Sequence, residues 1–237
     1  MSLLRVERLT QHFAGVVALD NISFNLSAGG ITGLIGPNGA GKSTLFSIVA
    51  GARRPSSGQV YFDGRDVTGW RPHQAAAAGV GRTFQLMRVF GSLSVRENVV
   101  VAGYARSRHR RGAYARADEV LEITGLAPLA DVPARALTAP SKKRLEVARA
   151  LALRPRLLLL DEVLAGLTPT EAAEATTLLR GIAAGGTTIL MVEHVMEVIM
   201  PMCDRLIVLS SGQKIAEGPP EHIARHPAVI EAYLGRG

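Results

Sequence analysis

Apolar and polar positions along the chain follow two different rhythms. In the first third, the segments Leu3 to Leu9, Ile22 to Leu26, Ile31 to Ile35 and Gln59 to Phe62 have the length and composition of short strands, and the last is closed by the turn Asp63-Gly64. A helix follows Gly41, because Leu45, Ile48 and Val49 fall on one face, and Gly51 ends it. From Leu86 to about Pro155 the spacing turns helical, with Val120, Leu121 and Ile123 and then Leu145, Val147, Ala148 and Leu151 recurring at helical intervals. The strand Leu157 to Leu160, a helix over Thr170 to Ala184, the strand Thr188 to Val192, another helix and the strand Arg205 to Leu209 follow. Apolar strands alternating with helices predict a parallel sheet buried on both faces, so the fold class is α/β with a helical insertion. No repeat, low-complexity tract or long polar linker interrupts this order.

Composition narrows the class. The chain has 237 residues, the size of one large domain, and its 47% hydrophobic and 20% charged residues exclude a largely disordered chain. No run approaches the roughly 18 to 20 apolar residues that span a bilayer. Glu7 and Arg5 stand near the N-terminus, where a signal peptide needs an uninterrupted apolar stretch. Cys203 is the only cysteine, which excludes an internal disulfide and a multi-cysteine zinc site and agrees with a reducing cytoplasm. The net charge of +7, from 27 basic and 20 acidic residues, admits nucleic acid, an anionic membrane surface or polyphosphate ligands. The densest basic run, Arg106-Ser107-Arg108-His109-Arg110-Arg111 between Tyr104 and Tyr114, reads first as a solvated loop and helix face, with phospholipid or RNA contact as the other reading.

The residues Gly36, Pro37, Asn38, Gly39, Ala40, Gly41, Lys42, Ser43 and Thr44 fit the phosphate-loop pattern G-x-x-x-x-G-K-[ST] between an apolar strand and a helix. The chemistry needs these residue types. Glycines let backbone N–H groups wrap phosphates, Lys42 neutralises the β and γ oxygens, the helix dipole adds positive potential, and the Ser43 hydroxyl ligates Mg²⁺. Asp161 and Glu162 end the strand Leu157 to Leu160 at its C-terminal end, where open α/β sheets bind ligands. Beside a phosphate loop, Asp161 would hold Mg²⁺ and Glu162 would take a proton from the attacking water.

With these two motifs the chain resembles the ATP-binding subunits of ABC transporters over nearly all its length. The resemblance implies a P-loop NTPase (RecA-like) parallel-sheet core, an N-terminal antiparallel β subdomain and an inserted helical subdomain. Residues 1–85 and 156–237 would form the nucleotide-binding part, about 86–155 the helical signature part, and about 220–237 a tail. It implies further roles one residue at a time: Phe13 stacks on adenine, although alone it reads rather as core; Gln85 reaches Mg²⁺ and water; His194 contacts the γ-phosphate. The family's signature, Leu-Ser-Gly-Gly-Gln, is replaced by Leu137, Thr138, Ala139, Pro140 and Ser141. In the family's head-to-tail dimer this segment faces the γ-phosphate of the opposite subunit. Thr138 keeps a hydroxyl, but Pro140 has no N–H and Ala139 lacks the freedom of glycine. The site it completes is therefore expected to be slow. Val163 and Thr168 depart from the family's usual proline and aspartate; the first reads as neutral and the second bears on coupling between subunits.

Gly81 to Gln85, Lys143 to Ala152, Ala165 to Leu167 and the tail Pro227 to Gly235 are similar to the branched-chain amino acid importer group and its LivG-type ATPases. The resemblance thus implies an ATP- and Mg²⁺-dependent ATPase on the cytoplasmic face of the membrane. Its partners would be transmembrane permease subunits, a solute-binding protein outside, and a sibling ATPase subunit or a second copy. No nucleic acid is expected. The alternative, an ABC-type ATPase acting on nucleic acid or ribosomes, is motivated by the charge and the arginine run. Such proteins carry paired ATPase domains, coiled coils or metal-binding cysteines that this chain lacks. A small-molecule kinase is disfavoured because Glu162, Gln85 and His194 suit water activation.

Overall fold

A computed structural model describes residues 2–83, 89–107, 109–193 and 196–234. Gln85 and His194, the starting residues 86–88 of the helical insertion, and Gly235 lie outside the described residues. The chain opens with a long hairpin, β1 (Ser2–Phe13) and β2 (Val16–Ser27), which turns at Ala14 and Gly15 with both residues at positive φ. Next come β3 (Ile31–Ile35), α1 (Lys42–Val49), β4 (Ser57–Phe62) and β5 (Arg65–Asp66). Asp63 (φ 52°) and Gly64 (φ 76°) join β4 to β5 with Phe62 opposite Arg65, the two-residue turn whose twist suits a hairpin.

The helix α2 (Pro72–Ala78) and the strand β6 (Val80–Arg82) lead to three helices, α3 (Val95–Gly103), α4 (Arg110–Ile123) and α5 (Ala139–Ala152). The chain then returns to the sheet with β7 (Leu157–Asp161), α6 (Pro169–Ala184), β8 (Thr188–Val192), α7 (Met196–Met202) and β9 (Arg205–Ser210). It ends with β10 (Gln213–Gly218), α8 (Pro220–Ile223) and α9 (Pro227–Leu234). Two sheets result, one antiparallel in the order β2-β1-β4-β5 and one of six strands in the order β10-β9-β3-β8-β7-β6. The four contacts from β9 to β6 are parallel, and only β10 runs against its neighbour.

The six-stranded sheet has two apolar faces because successive strand side chains point to opposite sides. Leu158, Leu160, Ile189, Met191, Leu206 and Val208 face one core, which continues into α3, α4 and α5. Leu157, Leu159, Leu190, Val192, Ile207 and Leu209 face the other, shared with α1 and the antiparallel sheet. Every side chain of β7 and β8 is buried, which explains why these strands read as unbroken apolar runs. Placed between the two cores, the C-terminal ends of β3, β7 and β8 come out at one edge, and the phosphate loop, Asp161 and Glu193 lie there.

The strands β3 and β8 have the bounds that the periodicity predicts, β1, β2, β4, β7 and β9 run longer, and α2, β6 and β10 are additions to it. The basic run is exposed at Arg106 and from His109 to Arg111, as expected of a solvated loop and helix face, and one of its residues also binds main chain. The Arg106 guanidinium donates to the carbonyls of Leu153 (2.7 Å), Ala77 (2.8 Å) and Ala76 (3.1 Å), closing the C-terminal ends of α5 and α2. Carbonyls at a helix C-terminus have no partner within the helix, so a cation is favoured there. Among the described residues, no helix is long and apolar enough to cross a membrane.

Candidate nucleotide site

The phosphate loop runs from Gly36 to Gly41 and its shape depends on glycine at both ends. Gly36 has φ 149°, and a Cβ there would lie 2.0 Å from the Leu209 carbonyl oxygen. Gly41 has φ 99°, and a Cβ would lie 2.5 Å from the Ala18 carbonyl oxygen. The backbone therefore approaches β9 on one side and β2 on the other more closely than any side chain allows. Gly41 also serves as N-cap of α1, with no side-chain cap and no acidic residue in the first turn. The first-turn N–H groups of Lys42, Ser43 and Thr44 belong to the uncapped end of α1, whose first intrahelical bond is Leu45 N–H to the Gly41 carbonyl (3.0 Å). Such an end attracts an anion through its N–H groups and its dipole.

Lys42 is buried, and its Nζ donates to the carbonyls of Gly36 (2.6 Å) and Pro37 (2.9 Å). Burial pushes its ammonium below the ordinary lysine range, and the charges of Glu162 and Asp161 pull it partly back. The structure thus places the loop lysine in the field of the two carboxylates. Burial likewise pushes the Asp161 carboxyl up, against the opposing pull of Arg82, whose Nη2 lies 3.3 Å from Oδ2. The Asp161 N–H donates to Thr83 Oγ1 (3.1 Å), while the Thr83 N–H donates to the Leu159 carbonyl (2.9 Å), extending the β6–β7 ladder to the carboxylate. Glu162 is half-buried and takes a left-handed conformation (φ 50°), its N–H donating to the Val192 carbonyl (3.0 Å). A non-glycine residue there is uncommon and persists where its surroundings fix it.

Phe13 is the last residue of β1, half-exposed beside the phosphate loop's neighbour β2, and not part of either core. The Arg53 guanidinium lies 4.5 Å from its ring centroid, a cation–π contact that orients the ring. The segment Leu137 to Ser141 forms the start of α5, with Leu137 buried and Thr138 and Ala139 exposed. Thr138 is the N-cap. Its Oγ1 accepts the Ser141 N–H (3.4 Å) and lies 3.1 Å from the Ser141 hydroxyl, and Pro140 sits in the first turn. Thr168 is also an N-cap: with Glu171 it forms a reciprocal capping box at the start of α6. Gln85 and His194 lie outside the described residues.

Four further residues stand at the site. Arg82 and Thr83 hold Asp161. Glu193, 1% exposed, accepts the Leu164 N–H (2.8 Å). Lys143 of α5 donates to the carbonyls of Ala165 and Glu162 (3.5 Å to the latter). Glu193 carried a visible signal, an acid ending an apolar strand as Asp161 does; Lys143 opens the segment Lys143 to Ala152, which gave no sign of this contact. At the other end of the chain, burial pushes the Tyr233 phenol up, while a hydrogen bond from the Gly36 backbone pulls it partly back, so α9 reaches the phosphate loop.

A hydroxyl and a buried carboxylate are hard oxygen donors suited to Mg²⁺, and the uncapped α1 end with Lys42 suits a polyphosphate. Among the described residues, no cluster of three or more His, Cys, Asp or Glu could hold a metal by protein groups alone. The ABC transporter family model matches residues 19–165, which span this loop, the carboxylate pair and the start of α5. The chain belongs to the ABC transporter family. A second model, described as the branched-chain amino acid ATP-binding cassette transporter, matches residues 213–237. This ABC chain is 35% identical to the high-affinity branched-chain amino acid transport ATP-binding protein BraF of Pseudomonas aeruginosa, with 98% of each chain covered. It is 37% identical to the corresponding protein LivG of Escherichia coli, again with 98% of each covered. Among solved structures, an ABC transporter's ATP-binding cassette in its ADP conformation superposes with a TM-score of 0.91, at 30% identity and 100% coverage of both chains.

Proposed function

We propose that the chain is the ATP-hydrolysing subunit of a membrane importer for branched-chain amino acids or related small polar solutes. The observation that carries this is the meeting of the uncapped α1 end and Lys42 with Asp161 and Glu162 at one edge of the sheet. The relatives' names and the match over 213–237 support the solute class.

In this reading the N–H groups of the phosphate loop and Lys42 hold the β and γ phosphates, and the exposed face of Phe13 receives adenine. Ser43, Asp161 and Gln85 would hold Mg²⁺, which supplies charge neutralisation on the phosphates when bound. Glu162 accepts the proton of the attacking water, and His194 contacts the γ-phosphate. Gln85 and His194 enter through the family resemblance.

The chain works at the cytoplasmic face of the membrane beside permease subunits and a solute-binding protein. Its α5 end would complete the nucleotide site of a second ATPase subunit. Because the Ser141 N–H is taken by Thr138 and Pro140 has none, that end is a weak anion site. We therefore place a sibling subunit opposite, whose intact signature completes the site of Lys42, Asp161, Glu162 and His194. The nucleic-acid reading has less support, since Arg106 is used on helix ends.

The test is accumulation of labelled leucine by cells whose only copy carries Glu162→Gln. Loss of accumulation, with the protein still at the membrane, is expected. Undiminished leucine uptake would overturn the proposal, and loss of another solute's uptake would leave the ATPase role and refute the solute.

A further inference from the structure

The turn after Asp161 is held from two sides by side chains outside the phosphate loop and the Asp161-Glu162 pair. On one side, Lys143 projects from α5 and donates to the carbonyls of Glu162 and Ala165. On the other, Glu193, directly after β8, accepts the Leu164 N–H at 2.8 Å. The turn's own bond, Ala165 N–H to the Glu162 carbonyl (3.4 Å), is long, and Glu162 stands at φ 50°. A conformation of this kind is strained for a residue with a side chain and persists when neighbours impose it. Val163 and Leu164 within the turn are buried, and the Glu162 N–H bond to the Val192 carbonyl (3.0 Å) ties its start to β8.

The anchors also face each other electrostatically. Burial pushes the Lys143 ammonium down, and the charges of Glu193 and then Glu162 pull it back. A cation donating to carbonyls in a partly buried site makes a strong, directional bond. Lys143 lies five residues from the N-cap Thr138, on the same helix, and Glu193 lies next to His194. The 162–165 turn is thus tied both to the helix that presents residues 138–141 and to the C-terminal end of β8.

We infer that Lys143 is a positioning residue for ATP hydrolysis, fixing the main chain of Glu162 and linking its placement to α5, with Glu193 as the second anchor. This rests on the proposed role of Glu162 as the proton acceptor. Lys143 acts through the carbonyls of Glu162 and Ala165, and so sets where the Glu162 carboxylate points. A misplacement of about 1 Å at a reacting group can cost roughly 100-fold in rate. Removing the lysine's donor should therefore lower turnover and leave nucleotide affinity in place.

The experiment measures kcat and KM for Mg-ATP, together with thermal unfolding, in the transporter complex that the tagged chain brings down. The variants are Lys143→Met, Lys143→Arg, Glu193→Gln and the double variant Lys143→Met/Glu193→Gln, with Glu162→Gln as reference. Lys143→Met should lose about 10- to 100-fold in kcat with KM within about twofold, and Lys143→Arg should recover most of that loss. The double variant should fall less than the product of the two single losses, because both anchors act on one turn. If Lys143→Met does not fold, Lys143→Arg with Glu193→Gln and their combination carry the same test through non-additivity. Unchanged kcat in Lys143→Met, equal losses in Lys143→Met and Lys143→Arg, or strictly multiplicative effects would overturn the inference. Full turnover in Glu162→Gln would instead overturn the reading beneath it.

Discussion

Two helix N-termini carry the phosphate chemistry proposed for this chain, and they are built in opposite ways. At α1 the cap is a left-handed glycine with no side chain to offer, and no acid stands in the first turn. At α5 the cap is Thr138, whose hydroxyl accepts the Ser141 N–H, and Pro140 occupies the first turn. Both are good solutions for a helix. A self-capped end with proline in its first turn is stable by itself, because proline's missing N–H is one the helix does not use. An end left uncapped is stable only with an external partner, and that makes it a binding site. The difference teaches that stability and anion affinity compete for the same few N–H groups.

The contrast can be broken most severely at α1. Lys42→Ala should weaken ATP binding about 10- to 100-fold, as expected for loss of a charge-assisted contact of about 1.5–3 kcal/mol, and reduce hydrolysis to background. Isothermal titration with Mg-ATP measures this, and unchanged affinity would mean that the α1 end is not the stronger site.

A smaller effect is expected from rebuilding α5. The double substitution Ala139→Gly/Pro140→Gly restores one N–H and the backbone freedom of glycine at the helix start. ATP hydrolysis by the purified chain alone should rise about tenfold, below the roughly 100- to 1,000-fold that a fully placed oxyanion donor contributes. A rate equal to the parent's would show that these N–H groups do not limit the site.

The smallest effect sharpens the other half of the comparison. Thr138→Ala removes the α5 cap and should cost about 1 kcal/mol of stability, seen as a drop of about 2–4 °C in Tm by calorimetry. ATP affinity should stay at the parent value, because Thr138 belongs to the opposite subunit's site. An unchanged Tm would remove the argument that this terminus is committed to its own helix.

How much of this was legible in the sequence depends on whether the information was local. The strands β7 and β8 were readable because burial on both faces makes them continuous apolar runs, and Asp63-Gly64 announced its hairpin. The helix α2 was not, since His73 to Ala78 is mostly alanine and has no apolar face to repeat. The strand β10 is a half-exposed edge with the polar residues Gln213, Lys214 and Glu217, so it lacks a core signature. At the site, the phosphate loop and the Asp161-Glu162 pair are contiguous and could be recognised as units. Lys143 and Glu193 reach the 162–165 turn from 19 to 29 residues away, and only the packing of α5 and β8 around β7 brings them there. Pro140 showed a missing donor from its identity alone, whereas the capture of the Ser141 N–H by Thr138 needed the geometry.

The asymmetry between the two termini is tested most directly by the mass in solution of purified Glu162→Gln, measured with and without Mg-ATP. This substitution removes the proton acceptor and should trap any ATP-bound dimer that the chain forms by itself. The account predicts a chain that binds ATP and keeps the mass of a monomer, because its own α5 end cannot close the opposite site. An ATP-dependent dimer would contradict it, since residues 138–141 would then suffice to complete a nucleotide site.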